Sequence, residues 1–251
     1  MESAPIQSDS YRVFCFPSAG GGVAHYYRWR RHARAGMRVE PVCPAGRESR
    51  HREPLIRSFP ELIDDLMMRI EPLLDRPYAL FGHSMGALVG YEIASRLTRM
   101  GKPPLALFAA ACKAPHRRPT NPMLHHLSES ELVRELQRRY GDHGSVFERP
   151  EARRLFLPIV QADLQAIETH QARELNTLPC PVQAIGGQDD RTIRKEHLDE
   201  WSQYSQQELP PQQRPGGHFF VQTDRDWLLR RIDDVARNSL TSNLSVESSR
   251  D

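Results

Sequence analysis

The residues best suited to covalent chemistry are those of Gly82-His83-Ser84-Met85-Gly86. A serine hydroxyl with glycines two residues to either side can serve as a nucleophile when a sharp turn exposes it. The pattern alone is weak, since chance places one in roughly a tenth of chains this long. Its surroundings strengthen it. The apolar, non-alternating run Tyr78–Phe81 leads in, as a buried parallel strand would, and a helical pattern over Met85–Met100 leads out. Ser84 then lies at a helix N-terminus, where the dipole and unpaired N–H groups favour a developing anion. The competing account is an ordinary glycine-rich turn between strand and helix.

A serine hydroxyl needs a base to take its proton. Of 11 histidines, His218 stands out in Gly216-Gly217-His218-Phe219-Phe220, a loop with backbone freedom before the final helical pattern. It also falls last in the chain order Ser, acid, His. His83 is too close to Ser84 in sequence and is expected to point away from it. His25, His32, His51, His116, His125, His126, His143, His170 and His197 lie on helical or irregular segments without a comparable turn. The pair His125-His126 suggests a metal, but no carboxylate or further histidine stands at ligand spacing, so it reads as surface or as part of a covering segment. The orienting acid is expected after Val182–Ile185, where Gly186-Gly187-Gln188-Asp189-Asp190 offers two carboxylates. Asp190 is favoured and Asp189 is the alternative; its task is to hold one imidazole tautomer and stabilise the imidazolium. The run Leu105–Ala111 ends without a carboxylate. An oxyanion hole needs two backbone N–H groups. Met85 supplies one, and the loop Phe16-Pro17-Ser18-Ala19-Gly20-Gly21-Gly22 the other, with Ala19 the expected donor. That loop lacks the ending of a phosphate-binding P-loop and the spacing of a dinucleotide fingerprint.

These residues need a scaffold that delivers them to one edge. Strands are expected at Tyr11–Phe16, Met37–Val42, Tyr78–Phe81, Leu105–Ala111 and Val182–Ile185, with a weaker candidate at Gln207–Leu209. Helical patterns cover Ala24–Arg34, Phe59–Leu74, Met85–Met100, Glu129–Arg139, Glu151–Gln171, Lys195–Tyr204 and Asp226–Asn238. Alternation of this kind predicts an α/β fold, a mostly parallel sheet flanked by helices on both faces. The stretch from Ala114 to Gln171 holds two helical patterns and no convincing strand, with Pro115, Pro119, Pro122, Pro150 and Pro158 as punctuation, and reads as an insertion over the sheet. Residues 1–10 and 239–251 are polar and expected to be flexible, leaving one domain over 11–238.

Composition excludes several classes. Net charge is +2, from 34 basic and 32 acidic residues, so no global field favours nucleic acid. The N-terminal MESAPIQSDS has no basic start and no apolar stretch, so it is not expected to be a signal peptide, and no apolar run approaches the ~18 residues of a membrane span. The four widely spaced cysteines, Cys15, Cys43, Cys112 and Cys180, suit reduced, buried thiols in a cytoplasmic protein. Arginines crowd one region: Arg28, Arg30, Arg31, Arg34, Arg38, Arg47, Arg50 and Arg52. Such a cluster is either a solvated surface or a dock for an acidic partner.

Taken in order, the motifs resemble one family, the type II thioesterases that accompany polyketide and nonribosomal peptide synthases, members of the α/β-hydrolase superfamily. The resemblance rests on Phe16-Pro17-Ser18-Ala19-Gly20-Gly21, Tyr27 to Trp29, Pro44-Ala45-Gly46-Arg47, Gly82 to Gly86, the turn from Gly187 to Asp190 with Trp201 beyond it, and Gly216 to Phe220. It spans Tyr11 to Ala236. It implies an enzyme that clears acyl groups from the phosphopantetheine arm of acyl or peptidyl carrier domains. Ser84, Asp190 and His218 would form its triad, Ala19 and Met85 its oxyanion hole, and residues 114–171 a helical lid. No metal or redox cofactor is implied, because the substrate itself carries phosphopantetheine. The acidic carrier gives the Arg28–Arg52 cluster a docking role, and a monomer is expected. Two positions depart from the pattern: Ser18 stands where the family often has histidine or a larger residue, and Arg191 where proline is common.

Other readings fit the same residues less fully. A carboxylesterase or medium-chain fatty acyl-carrier thioesterase would share the scaffold. A macrocyclising thioesterase would be cut from a synthase, against which Met1 and the polar tail argue. A non-catalytic carrier-binding protein would have no use for the intact triad.

Overall fold

The computed structural model describes residues 11–117, 123–170, 176–207 and 209–247. Six parallel strands form one sheet: β1 (Tyr11–Phe16), β2 (Met37–Pro41), β3 (Tyr78–His83), β4 (Leu107–Ala110), β5 (Val182–Gly187) and β6 (Gln212–Arg214), in the order β2-β1-β3-β4-β5-β6. Every residue of β1, β3, β4 and β5 is buried, which explains why these runs, Arg12, His83 and Gln183 apart, are apolar without alternation. Register puts their C-terminal ends side by side. Phe16 pairs with Gly82, His83 with Ala110, and Ala110 with Ile185, so the loops after β1, β3 and β5 open on one edge.

Helices cover both faces. On one, α2 (Phe59–Ile70) and α3 (Met85–Arg99) pack through Leu62, Ile63, Leu66, Ile70, Ile93 and Leu97. In α2 these residues recur at helical spacing on a single stripe. Each fully buried leucine or isoleucine contributes roughly 1.5–3 kcal/mol. On the other face α1 (Ala24–Arg30) and α7 (Arg225–Glu247) bury Tyr26, Trp29, Leu228 and Ile232 around Phe81. Between β5 and β6 runs the short α6 (Lys195–Asp199), continued by a 3₁₀ turn over Glu200–Tyr204. The expected insertion lies between β4 and β5 and carries α4 (Glu129–Tyr140) and α5 (Pro150–Glu168). Leu132, Leu136, Phe147, Leu157, Val160 and Leu164 give it an apolar cluster of its own. Ser128 starts α4 with a capping box to Glu131.

Three expectations need correction. The weak strand at Gln207–Leu209 is not one; the sixth strand is Gln212–Arg214, an edge strand of polar residues that no apolar pattern announces. Pro158 does not punctuate the insertion but lies inside α5. The last helix does not end at Asn238 but continues to Glu247, so residues 239–247 are helical instead of a loose tail. The Ser239, Thr241 and Ser242 hydroxyls donate to the carbonyls of Val235, Arg237 and Asn238, absorbing polar groups that signal a helix end in sequence. Residues 1–10 and 248–251 lie outside the described residues. All four cysteines are buried free thiols. Among the described residues, no helix is long and apolar enough to cross a membrane.

Candidate active site

Ser84 sits between β3 and α3 with φ +54° and ψ −117°, a left-handed backbone that non-glycine residues rarely adopt. Its N–H donates to the Ala110 carbonyl at 2.7 Å, fixing the turn to the neighbouring strand. The flanking glycines are required by space. A Cβ on Gly82 would come within 2.0 Å of the Gly86 carbonyl oxygen, and one on Gly86 within 2.3 Å of the Phe16 carbonyl oxygen. The Gly-x-Ser-x-Gly spacing thus folds the turn onto itself and onto the end of β1.

The fold brings the predicted partners to this serine across 134 residues. His218 Nε2 lies 3.0 Å from Ser84 Oγ, and His218 Nδ1 lies 2.7 Å from Asp190 Oδ2. Asp190 is buried and Asp189 exposed, which decides between the two carboxylates. Asp190 Oδ1 accepts hydrogen bonds from the Thr192 N–H at 2.8 Å, the Thr192 hydroxyl at 2.7 Å and the Ile193 N–H at 3.2 Å. Burial pushes this carboxyl upward, but the His218 bond and charge and the Thr192 donors outweigh it. The group is held below its ordinary value and stays ionised.

Three neighbours escaped the sequence reading. Thr192 anchors the acid, and its hydroxyl lies 3.3 Å from His218 Nδ1. Tyr140, the last residue of α4, lies against the His218 ring with centroids 4.7 Å apart, so the insertion covers the imidazole. His83 points away from Ser84, as expected, yet its Nε2 lies 2.8 Å from the His218 carbonyl oxygen and fixes the backbone of that loop. Burial, then the charge of His218, lowers the His83 pKa to about 3, so it is a neutral donor there. Nothing in the spacing of these residues announces those contacts.

In the loop after β1, Gly20 N–H donates to Asp163 Oδ2 at 2.7 Å and Gly21 N–H to the Ser18 carbonyl at 2.9 Å. The Ala19 and Met85 N–H groups have no acceptor among the described residues. Two cavities meet at Ser84 and His218. One, of about 1280 Å³, passes between α3, the insertion and the loop after β5; the other, of about 260 Å³, lies under the Ala19 loop. The smaller is apolar, walled by Leu136, Phe147, Phe156, Val160 and Leu164. The larger carries Lys113, Arg117, Arg138, Arg191 and Arg194 on its wall, with Glu92 and Glu168 beside them. Arg117 is paired with Glu200 and Arg138 with Glu135, and Arg194 lies 3.8 Å from Glu196, which leaves Lys113 and Arg191 as the cations of that set without an ion-pair partner among the described residues. Arg191, at the position that departs from the resemblance, thus faces this chamber.

The early arginine cluster does not act as one surface. Arg47 is buried against Asp163 and Arg50 against Asp65. Arg30 and Arg38 share Glu40, and Arg34 lies 3.7 Å from Asp233. Arg28, Arg31 and Arg52 remain exposed, with no ion-pair partner among the described residues. His125 does have a carboxylate after all: Glu168 Oε2 lies 2.7 Å from its Nδ1 and also accepts the His125 N–H, while Oε1 accepts the Leu124 N–H. The pair ties the start of the insertion to the end of α5. Among the described residues, no group of three or more His, Cys, Asp or Glu could hold a metal ion.

The thioesterase domain family matches residues 11–235. The linear gramicidin dehydrogenase LgrE of Brevibacillus parabrevis is 32% identical over 91% of this chain and 88% of its own length. The glycine loop of this chain lacks the dinucleotide spacing that a dehydrogenase would suggest. The human medium-chain S-acyl fatty acid synthase thioesterase is 30% identical, over 84% of this chain and 81% of its own. Among solved structures, the type II thioesterase BorB from the borrelidin biosynthetic cluster is 32% identical, with TM-score 0.83 over 90% of this chain and 93% of its own. The chain belongs to the thioesterase family, hydrolases acting on thioester bonds.

Proposed function

We propose that this protein is a type II thioesterase that hydrolyses acyl groups from phosphopantetheinylated carrier domains, with Ser84, His218 and Asp190 as its triad. The observation that carries the catalytic part is the continuous line from Ser84 Oγ through His218 to Asp190, at 3.0 and 2.7 Å. Asp190, ionised and fixed by three donors, holds the His218 Nδ1–H. That leaves Nε2 free to accept the Ser84 proton as Oγ attacks the thioester carbonyl. The negative charge that develops on the carbonyl oxygen is met by the Ala19 and Met85 N–H groups and the N-terminus of α3. The C–S bond breaks, the pantetheine sulfur takes the proton that His218 received from Ser84 and leaves as the thiol, and an acyl-Ser84 ester and a neutral His218 remain. His218 then draws a proton from water, whose oxygen attacks the ester. The free acid departs and Ser84 regains its proton. No step uses a metal or redox cofactor.

The two cavities divide the substrate. The apolar pocket under the Ala19 loop suits the acyl chain, and the cation-lined chamber suits the phosphopantetheine arm with its phosphate. Arg28, Arg31 and Arg52 are the members of the early cluster left to meet an acidic carrier at longer range. The test is a panel of acyl-phosphopantetheinyl carriers and matching oxygen esters, followed by mass spectrometry for released acid. Release from carriers well above the rate for oxygen esters is expected. Preference for oxygen esters would replace this reading with a carboxylesterase.

A further inference from the structure

We propose that the buried Arg47–Asp163 pair is a positioning device for the oxyanion loop, holding the Ala19 N–H in its working orientation through helix α5. This rests on the assignment of Ala19 as an oxyanion donor.

Arg47 and Asp163 stand 116 residues apart in sequence, and both are almost fully buried. Arg47 Nη1 donates to Asp163 Oδ2 at 2.6 Å and Nη2 to Oδ1 at 2.7 Å, a two-pronged contact. As a source of stability this is a poor arrangement, because apolar residues of similar volume often do as well. What an apolar pair lacks is directed bonds to a third party, and here the third party is the loop after β1. Asp163 Oδ2 also accepts the Gly20 N–H at 2.7 Å, and Arg47 Nη1 also donates to the Gly21 carbonyl at 3.2 Å. The pair therefore holds the peptide units on both sides of the Gly20–Gly21 bond. Gly21 N–H closes the turn onto the Ser18 carbonyl at 2.9 Å. That carbonyl belongs to the same planar unit as the Ala19 N–H, and in a trans peptide the two point in opposite directions. Fixing the turn therefore aims the Ala19 N–H.

The seat on α5 is close. Gly20 has φ +70°, and a Cβ there would lie 2.3 Å from Val160 Cγ2, so only glycine lets the loop approach. Val160 and Asp163 are three residues apart on one face of α5, and Val160 also walls the apolar pocket. One helix thus touches both the pocket and the loop that aims the oxyanion donor. A shift of α5 is transmitted to Ala19 through a polar link, not through packing alone.

The experiment measures kcat and KM for a small acyl-N-acetylcysteamine thioester, per folded enzyme by circular dichroism, together with Tm. Three variants are compared: Asp163→Asn, Arg47→Lys and the double variant Arg47→Met/Asp163→Leu. Arg47→Lys keeps the charge balance and so provides a variant in which the forked contact and the donor to the Gly21 carbonyl are disturbed without leaving Asp163 uncompensated. A kcat loss of roughly 10- to 100-fold with KM within about twofold is expected in the single variants. The double variant is expected to recover Tm but not kcat. If the single variants keep kcat within about twofold, or the double variant recovers kcat along with Tm, the pair is structural only and the proposal fails. Should the single variants fail to fold, the double variant decides by itself. A wild-type enzyme inactive on the thioester would instead overturn the functional reading.

Discussion

Replacing Asp190 by asparagine tests the triad through a single proton. In the wild type, Asp190 Oδ2 faces His218 Nδ1, and Oδ1 receives two backbone N–H groups and the Thr192 hydroxyl. An amide has one oxygen, which must choose a side. Turned toward His218, it would set its NH₂ against the Thr192 and Ile193 N–H groups. Each buried donor left without an acceptor costs about 1–3 kcal/mol, or about 2–6 kcal/mol for both. Turned the other way, it satisfies those donors and asks only that His218 change tautomer. The second arrangement wins, and Nδ1 becomes an acceptor while Nε2 carries the hydrogen. Nε2 then cannot take the Ser84 proton. Tautomer loss of this kind lowers kcat on the order of 10⁴-fold, about 5 kcal/mol of transition-state stabilisation. The assay is thiol release from a small acyl thioester at neutral pH, with thermal unfolding as control. Asp190→Asn is expected to keep nearly the wild-type Tm while losing activity, and Asp189→Asn to lose neither. Activity of Asp190→Asn within tenfold of wild type, or equal damage from Asp189→Asn, would refute the tautomer argument.

Other outcomes follow from the same geometry. His83 is neutral in the folded protein down to about pH 3, whereas the unfolded chain protonates it near 6.5. The unfolded state therefore binds more protons between these values, and stability falls as pH drops through that window. His83→Gln, which keeps a donor near the His218 carbonyl, should show a shallower loss in urea midpoint between about pH 6.5 and about pH 3; an unchanged slope would remove His83 from this account. Leu136→Phe narrows only the smaller cavity, so hydrolysis of octanoyl thioesters should fall at least tenfold relative to acetyl thioesters; equal effects on both would place the acyl chain elsewhere. Reversing charge at Lys113 and Arg191 should raise KM for acyl carriers and leave a small thioester unaffected. The same reversal at Arg28 and Arg31 should act more weakly and vanish at high salt, whereas equal KM effects at both sets would favour docking on the early cluster.

The sequence carried the site where local constraints were strongest. Gly82 and Gly86 are legible because a sharp turn leaves no room for a Cβ, and His218 because a glycine loop and chain order set it apart from ten other histidines. Asp190 was separable from Asp189 only by preference, since adjacent carboxylates differ in burial rather than in type. The apolar strands are readable from their apolar runs, but Gln212–Arg214, which pairs with Ile185–Gly187 at the sheet edge, is a polar run with no such signal. The long-range polar contacts were not readable at all. Arg47–Asp163 and His125–Glu168 join residues 116 and 43 positions apart, and the arginine cluster gave no sign that Arg47 and Arg50 turn inward. Such pairings depend on how helices settle over the sheet, which no local spacing encodes.

In the proposed mechanism Ser84 carries the acyl group between thioester and acid. Rapid quenching of enzyme with an acyl-carrier, followed by peptide mass spectrometry, tests it most directly. An added acyl mass on the peptide containing Ser84, formed before free acid accumulates and absent in Ser84→Ala, is the predicted result. Release of acid by Ser84→Ala at the wild-type rate, with no adduct in either protein, would contradict it.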